Sequence, residues 1–449
     1  MKAVKILKAA AALLIFAVSA GSGYAGVVSA AVRFDAASSL VEPAPAPAET
    51  AETSAEASKP QETVEKAPQE AEQEIKKPAA ETSVAEKTSS VQEKPQPPAS
   101  PAVTGELRAV WFSYIEFAEL LTGKTKAEFT YNIRSCFDKC AAYGLNTVIV
   151  QVRSNADALY KSAFFPASEY ITGKRSNSLQ FDPLAIMTEE AHRRSLRIEA
   201  WINPYRANRV TSEFADDDIV ESWLGTDNVF ELNGYYYLNP GEPQARQLII
   251  NGVTEIVKNY DIDGIHFDDY FYPSQSAEID AVTFKKYGEG KTLSEFRTAS
   301  VNELISSVYR EIKKRKSIVF GISPAGNIEN CLNAGADVRL WGSENGYVDY
   351  LAPQLYWDYG QGILPYEKAL DEWKKAVVNP NVKLLVGLAA YRAGDESLSP
   401  YWGSGNVLAR QVADARNAAN YKGFILFRYE HFFDDVRAAE RSSLKSILN

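Results

Sequence analysis

Residues 260–273 read Tyr-Asp-Ile-Asp-Gly-Ile-His-Phe-Asp-Asp-Tyr-Phe-Tyr-Pro, and the run Gly264 to Asp269 inside it alternates. Ile265 and Phe267 are apolar, while His266 and Asp268 between and beyond them are polar. Successive side chains of a strand point to opposite faces. One face of this strand therefore meets an apolar layer, and the other carries an imidazole and a carboxylate. Helical-period stretches lie on both sides of it, Pro243 to Tyr260 before and Leu293 to Arg315 after. A buried strand between two helices is the repeat unit of a parallel sheet covered by helices.

The same unit recurs outward in both directions. Strands are expected at Arg108 to Tyr114, Thr147 to Arg153, Arg197 to Asn203, Gly264 to Asp269, Val319 to Pro324, Tyr350 to Trp357, Leu384 to Tyr391 and Gly423 to Tyr429. Further helices are expected near Lys126 to Tyr143, Pro183 to Ser195, Pro365 to Val378 and Val407 to Asn420, with a last one near Asp434 to Leu448. Between the fifth and sixth strands there is room for a short helix at most. Eight strands alternating with helices over roughly 250 to 350 residues is the arithmetic of an α/β (β/α)8 TIM barrel with insertions. The rival, a doubly wound open sheet, usually brings a Gly-rich phosphate turn after its first strand. Ser113-Tyr114-Ile115-Glu116 stands there instead, without a glycine.

Alternation then selects the residues that face into the barrel. Ile198, Ala200 and Ile202 take the helix-facing parity, which leaves Glu199, Trp201 and Asn203 inside. By the same test Gln151, Arg153, His266, Asp268, Ser323, Gln354 and Tyr356 face inward. Each buried polar group without a partner costs about 1–3 kcal/mol. Such a collection at the strand C-termini is explained at least cost as a ligand site.

The chain has 449 residues, 45% of them hydrophobic and 11% aromatic, and a formal net charge of -10. That mean field repels nucleic acid. Its three histidines, His192, His266 and His431, form no ligand-spaced pair, and its three cysteines follow no zinc or disulfide spacing. No metal and no cofactor are expected, and all three cysteines are read as core. Lys2, Lys5 and Lys8 precede the apolar run Ala9 to Ala20, with small residues at Val18-Ser19-Ala20 and Gly23-Tyr24-Ala25. This is the pattern of a secretory signal peptide, assigned to 1–30, so the protein is expected to be exported to the periplasm, cell wall or medium. The apolar run is shorter than the roughly 20 residues that span a bilayer, so no stable transmembrane domain is expected once the signal is removed. From Asp35 to Val103 there is no glycine and no aromatic residue, ten of the 21 prolines occur, and 13 acidic residues outnumber 6 basic ones. Residues 31–103 are read as a disordered, extended linker and 104–449 as the barrel domain. Nothing in the sequence points to a particular protein partner.

Several segments together resemble one family. They are Val150-Gln-Val-Arg-Ser-Asn-Ala-Asp-Ala-Leu-Tyr160 with Phe165-Pro166 and Tyr170-Ile-Thr-Gly173, Ala200-Trp-Ile-Asn-Pro-Tyr-Arg206, Leu238-Asn-Pro-Gly241, the 260–273 run, Phe320-Gly-Ile-Ser-Pro324 and Val348-Asp-Tyr-Leu-Ala-Pro-Gln-Leu-Tyr-Trp357. They run in order over 105–430 and are similar to the signature of the glycosyl hydrolase-like 10 family. The resemblance implies a TIM barrel and an exported, envelope-associated glycoside hydrolase; at least one relative acts on peptidoglycan strands stripped of their peptides. A glycan, peptidoglycan in the first place, is thus the expected partner. One position departs from the pattern: where the family often carries a histidine just before Ala-Trp-x-Asn-Pro, this chain has Glu199.

Glycoside hydrolysis needs two carboxyl groups flanking the bond, one to protonate the leaving oxygen and one to attack the anomeric carbon or activate water. Asp268 and Asp269 close the fourth expected strand. Asp268 is expected to act directly, with Asp269 orienting it or binding substrate unless the strand bends there. Glu199 and Asp358 are the preferred partner carboxylates, and Asp157 and Glu430 are further candidates. Sugar faces would be met by Trp201, Tyr205, Tyr270, Tyr356, Trp357 and Tyr391, a third to a half of which are expected to be core instead. Hydroxyl, acetamido or lactyl groups would be met by Arg153, Asn155, Asn203, Arg206, His266, Gln354 and Arg392. An arginine at a strand end suits a lactyl carboxylate, or else pairs with Asp268. Two other classes are compatible with these residues: a non-catalytic carbohydrate-binding barrel, and a metal-dependent hydrolase built on the Asp-Asp pair and His266. The lone inward histidine weighs against the second.

Overall fold

The computed structural model describes residues 105–448 except Ser176, Asp217 and Tyr270. The expected signal peptide, the linker and Tyr270 therefore lie outside the described residues. In chain order the strands are β1 (Leu107–Phe112), β2 (Thr147–Arg153), β3 (Arg197–Ile202), β4 (Arg206–Arg209), β5 (Val229–Leu232), β6 (Tyr235–Leu238), β7 (Gly264–Phe267), β8 (Val319–Ile322), β9 (Tyr350–Leu351), β10 (Lys383–Ala389) and β11 (Tyr421–Phe427). Eight of them close into a barrel in the order β1-β11-β10-β9-β8-β7-β3-β2. Every pairing around that ring is parallel. This is the expected TIM barrel.

The helices that coat it start and stop where the sequence carries the chemistry for it. Lys126–Tyr143 opens on a capping box between Thr125 and Glu128 and ends at Gly144, whose φ of 99° is open to glycine. Leu293–Arg315 opens on the same device, Thr292 with Glu295. Their inner faces pack on the outward parity of the strands, where Val148, Val150, Ile198, Ala200, Ile265, Phe267, Phe320 and Ile322 are all buried. At about 1.5–3 kcal/mol for each large apolar side chain, this ring is the main adhesive of the fold. A second cluster fills the barrel itself and includes Ala109, Trp111, Ile149, Trp201, Tyr350, Leu385 and Ile425. The three cysteines are free and buried.

Four departures from expectation shape the upper rim. The first strand stops at Phe112, because Ser113 caps the helix Tyr114–Leu121: Ser113 Oγ accepts from Ile115 N at 3.2 Å, and Glu116 Oε2 accepts from Ser113 N at 3.0 Å. The fourth stops at Phe267, short of both aspartates. The sixth shrinks to Tyr350–Leu351, since Pro353 has no N–H for a ladder, although Gln354 still bridges Ala325 and Gly387. The connection from β3 to β7 is not a plain loop, for it folds into a three-stranded antiparallel sheet, β4-β6-β5. Among the described residues no helix is long and apolar enough to cross a membrane.

Candidate active site

The barrel interior is polar in its middle and is wired from β3 to β1. Trp111 Nε1 donates to His266 Nε2 at 3.1 Å, His266 Nδ1 lies 2.7 Å from Tyr350 Oη, and Tyr350 Oη donates to Glu199 Oε2 at 2.6 Å. An indole N–H can only donate, so Nε2 is the bare nitrogen of His266 and Nδ1 carries the hydrogen toward Tyr350. Burial alone holds the imidazole neutral, its pKa pushed down to about 3. Burial likewise lifts the Glu199 carboxyl to about 7, against the smaller opposing effects of Arg197 and the Tyr350 hydroxyl.

Above this layer opens a cleft with an empty volume of about 820 Å³ at the C-terminal ends of the strands. Trp111 and Trp201 form its floor, with their ring centres 6.5 Å apart. Asp268 and Asp269 both line it. Because the ladder ends at Phe267, strict alternation no longer governs these two, and both residues border one space. Trp201 Nε1 donates to Asp268 Oδ2 at 3.1 Å and so orients that carboxylate, which is 3% exposed. Opposite polar groups come from β2 and its neighbours. Gln151 Nε2 donates to Asn203 Oδ1 at 2.6 Å, while Gln151 Oε1 accepts from Tyr114 N at 2.9 Å. Asn203 Nδ2 and Ser323 Oγ are buried, line the cleft and have no hydrogen-bond partner among the described residues, which leaves both for a ligand. Gln354, Tyr356, Tyr391 and Arg206 complete the expected residues that the cleft brings together.

Other expected residues stand elsewhere. Glu199 has the inward parity but sits one layer too low, fully buried beneath Trp201 on its strand and bonded to Tyr350. Asp358 ties two loops together: its Oδ1 accepts from Gly360 N at 2.9 Å, and Ser399 Oγ donates to its Oδ2. Asp157 braces its own turn by accepting from Ser154 N and Asn155 N. Neither Glu199 nor Asp358 lines the cleft as a second carboxylate. Arg153 faces away from it, because the β2–β3 register shifts between Gln151 and Arg153. That bulge sends the guanidinium over the Phe165 ring at 4.5 Å and onto Pro204 O at 2.8 Å. Asn155 is held by Ser154 and its carbonyl by Arg175. Tyr205 and Trp357 are core, the first packed on Phe271 and the second against Gly326. His266 lies under the floor with both ring nitrogens engaged. Arg392 stands behind Tyr391, donating from Nε to its hydroxyl at 3.1 Å.

A barrel with two aspartates past its β7 and an aromatic floor agrees with what sequence comparison finds. The sequence model described as "Glycosyl hydrolase-like 10" matches residues 106–403. The chain belongs to the glycosyl hydrolase-like 10 family. Similar proteins include "Glycosyl hydrolase YngK" of Bacillus subtilis (strain 168), 35% identical over 72% of this chain and 68% of the relative. "Glycosyl hydrolase DigH" of Escherichia coli (strain K12) is 31% identical over 66% of this chain and 74% of the relative. Among solved structures, the PgaB (BpsB) glycoside hydrolase domain from Bordetella bronchiseptica superposes with a TM-score of 0.48 and 13% identity, over 76% of this chain and 99% of that one.

In this glycosyl hydrolase-like 10 member the cleft has a further wall that sequence reasoning missed. Ser113, Tyr114 and Ile115 follow β1, Phe427 ends β11, and Arg428 and His431 follow it. The two groups meet because β1 and β11 close the barrel. Arg428 Nη1 lies 2.8 Å from Glu116 Oε1 and 2.9 Å from Glu430 Oε2, so Glu430 neutralises an arginine at the rim. Burial, aided by Arg428, lowers the pKa of the His431 imidazole. The Ser113-x-x-Glu116 capping box was the available signal, since it places a turn at the mouth of the first strand.

Proposed function

We propose that this protein is an exported glycoside hydrolase that cuts cell-envelope glycan, with peptide-free peptidoglycan strands as substrate and Asp268 as the carboxyl group at the scissile bond. The reaction class follows from the family. The observation that carries the assignment of the site is Asp268 itself: nearly enclosed, oriented by the Trp201 indole, and sharing the cleft with Asp269. Two carboxyl groups beside one sugar-sized space are what acid-assisted departure of the leaving oxygen and attack on the anomeric carbon require. The rings of Trp111, Trp201, Tyr356 and Tyr391 offer flat apolar faces for pyranose rings, and Asn203, Ser323 and Gln354 offer donors and acceptors for hydroxyl and acetamido groups. Arg206 suits the free lactyl carboxylate of a peptide-free strand. Export rests on the basic, apolar and small-residue order of the first 30 residues, and the Pro/Ala/Glu-rich segment after them suits a tether between envelope and barrel.

The test incubates the purified chain, beside Asp268→Asn, with peptide-free and with intact peptidoglycan strands, followed by mass spectrometry of the products. New reducing ends from the wild type alone, on peptide-free strands, are the expected result, with the variant slower by about a thousandfold or more. Cleavage that survives the substitution would remove Asp268 from the site. Binding of either strand without cleavage would leave a carbohydrate-binding barrel.

A further inference from the structure

The insertion between β3 and β7 carries a pattern that the cleft does not use. On β6, Tyr235 and Tyr237 share one face of the small sheet and Tyr236 takes the other. Tyr237 is opposite Arg206 on β4 and Phe230 on β5, and Tyr235 is opposite Arg209 and Leu232. Residues paired across a ladder point to the same side. The face therefore bears two rows, Arg206–Tyr237–Phe230 and Arg209–Tyr235–Leu232.

Arg206 and Arg209 are three apart and would fall on opposite faces of a regular strand. They share this one because the β4–β6 register shifts between Arg206 and Asn208. The rows are in contact: Phe230 stacks on Tyr237 with ring centres 5.7 Å apart, Tyr235 lies 6.4 Å from Tyr237, and the Arg209 guanidinium is 6.0 Å above the Tyr235 ring. Arg209, Tyr235, Phe230 and Leu232 are all half-buried, so the second row presents its edge to solvent. Among the described residues no ion pair joins Arg209 to a carboxylate, and its guanidinium lies against the ring of Tyr235. The first row begins at the cleft, since Arg206 lines it and stands 5.8 Å over the ring of Tyr114, another lining residue.

We propose that this face of the β4–β6–β5 sheet is an extension of the cleft that binds a glycan strand bearing free carboxylates, with Tyr235 and Phe230 under the sugar rings and Arg209 on a carboxylate. The proposal rests on the reading of the protein as a hydrolase of such strands, and it adds a second stretch of binding surface to it. Two features select this occupant. The surface continues the cleft, so a polymer held at Asp268 has a path onto it. Acidic residues outnumber basic ones in the chain by 58 to 48, so two arginines brought to one face by a bulge are a local attraction set against a repelling field.

Binding is measured directly, with Asp268→Asn as the non-cleaving background, using peptide-free peptidoglycan strands of graded length and, as a neutral probe, N-acetylglucosamine oligomers. Arg209→Gln and Tyr235→Ala are compared with that background, and thermal melting of each verifies the fold. The expected result is a loss of about tenfold or more in affinity for long anionic strands, little change for a disaccharide or tetrasaccharide that fills only the cleft, and no effect of Arg209→Gln on the neutral oligomers. Unchanged affinity for long strands would overturn the proposal, and so would an equal loss on short and long ones. Wild-type cleavage with unchanged binding in both variants would overturn this surface and leave the enzyme. Failure of the background protein to bind any carboxylate-bearing strand would overturn the surface, whatever the wild type cleaves.

Discussion

Glu199 is a carboxyl group that the fold prefers protonated. Burial raises it from 4.5 to about 7, so the folded protein binds a proton that the unfolded chain releases between those values. Its contribution to stability is complete below about pH 4.5 and is lost as pH rises through 7; it amounts to about 3 kcal/mol. Glu199→Gln retains an acceptor for the Tyr350 hydroxyl and cannot ionise. Urea unfolding from pH 5 to 7.5 is expected to show wild-type stability falling by roughly that amount relative to the variant; parallel curves would mean that the carboxylate is solvated in the folded state. The direction of the whole chain of hydrogen bonds is fixed from its other end: the Trp111 indole can only donate, so His266 donates to Tyr350 and Tyr350 to Glu199, and the cleft floor is held by a one-way series of bonds.

Among the elements, β8 and β9 show how little space this interior leaves. Gly321 faces Tyr350 in register, and a Cβ at that position would stand 1.9 Å from the tyrosine ring. Gly321→Ala is expected to push Tyr350 off both His266 and Glu199 and to destabilise by about 1–3 kcal/mol, read by thermal melting. The alternating pattern of the sequence located all eight barrel strands and the start of nearly every coating helix, because periods of two and 3.6 report which side is apolar. It was weaker where the backbone leaves those periods. A bulge turned Arg153 away from the cleft, and Pro353 cut β9 to two residues. Alternation also gives a residue's side of the sheet and not its height along the barrel axis: Trp201 and Glu199 share a parity, yet only Trp201 reaches the cleft. The wall formed by Ser113, Tyr114, Arg428 and His431 depends on β1 meeting β11, a contact between the two ends of the barrel sequence that local patterns do not contain.

For the molecule as a whole, closure makes every strand depend on the last one. β11 supplies the only partner of β10 on that side and the second partner of β1. A chain ending at Asn420 would expose two strand edges and the apolar faces of Phe424 and Leu426's neighbours. It is expected to be insoluble or to bind a hydrophobic dye, whereas the full chain unfolds cooperatively in denaturant. A soluble truncated chain with native circular dichroism would show that the remaining seven strands suffice.

That same closure sets a clock. Leu107 meets Gly423 in register, so the first strand to leave a ribosome has to wait for nearly all the rest of the chain to follow before its second neighbour arrives. Until then the cleft has no complete wall, because Arg428 and His431 follow the strand still to come. A partly made chain therefore carries an unfinished cleft, and any cutting power can begin only once the last strand has closed the ring.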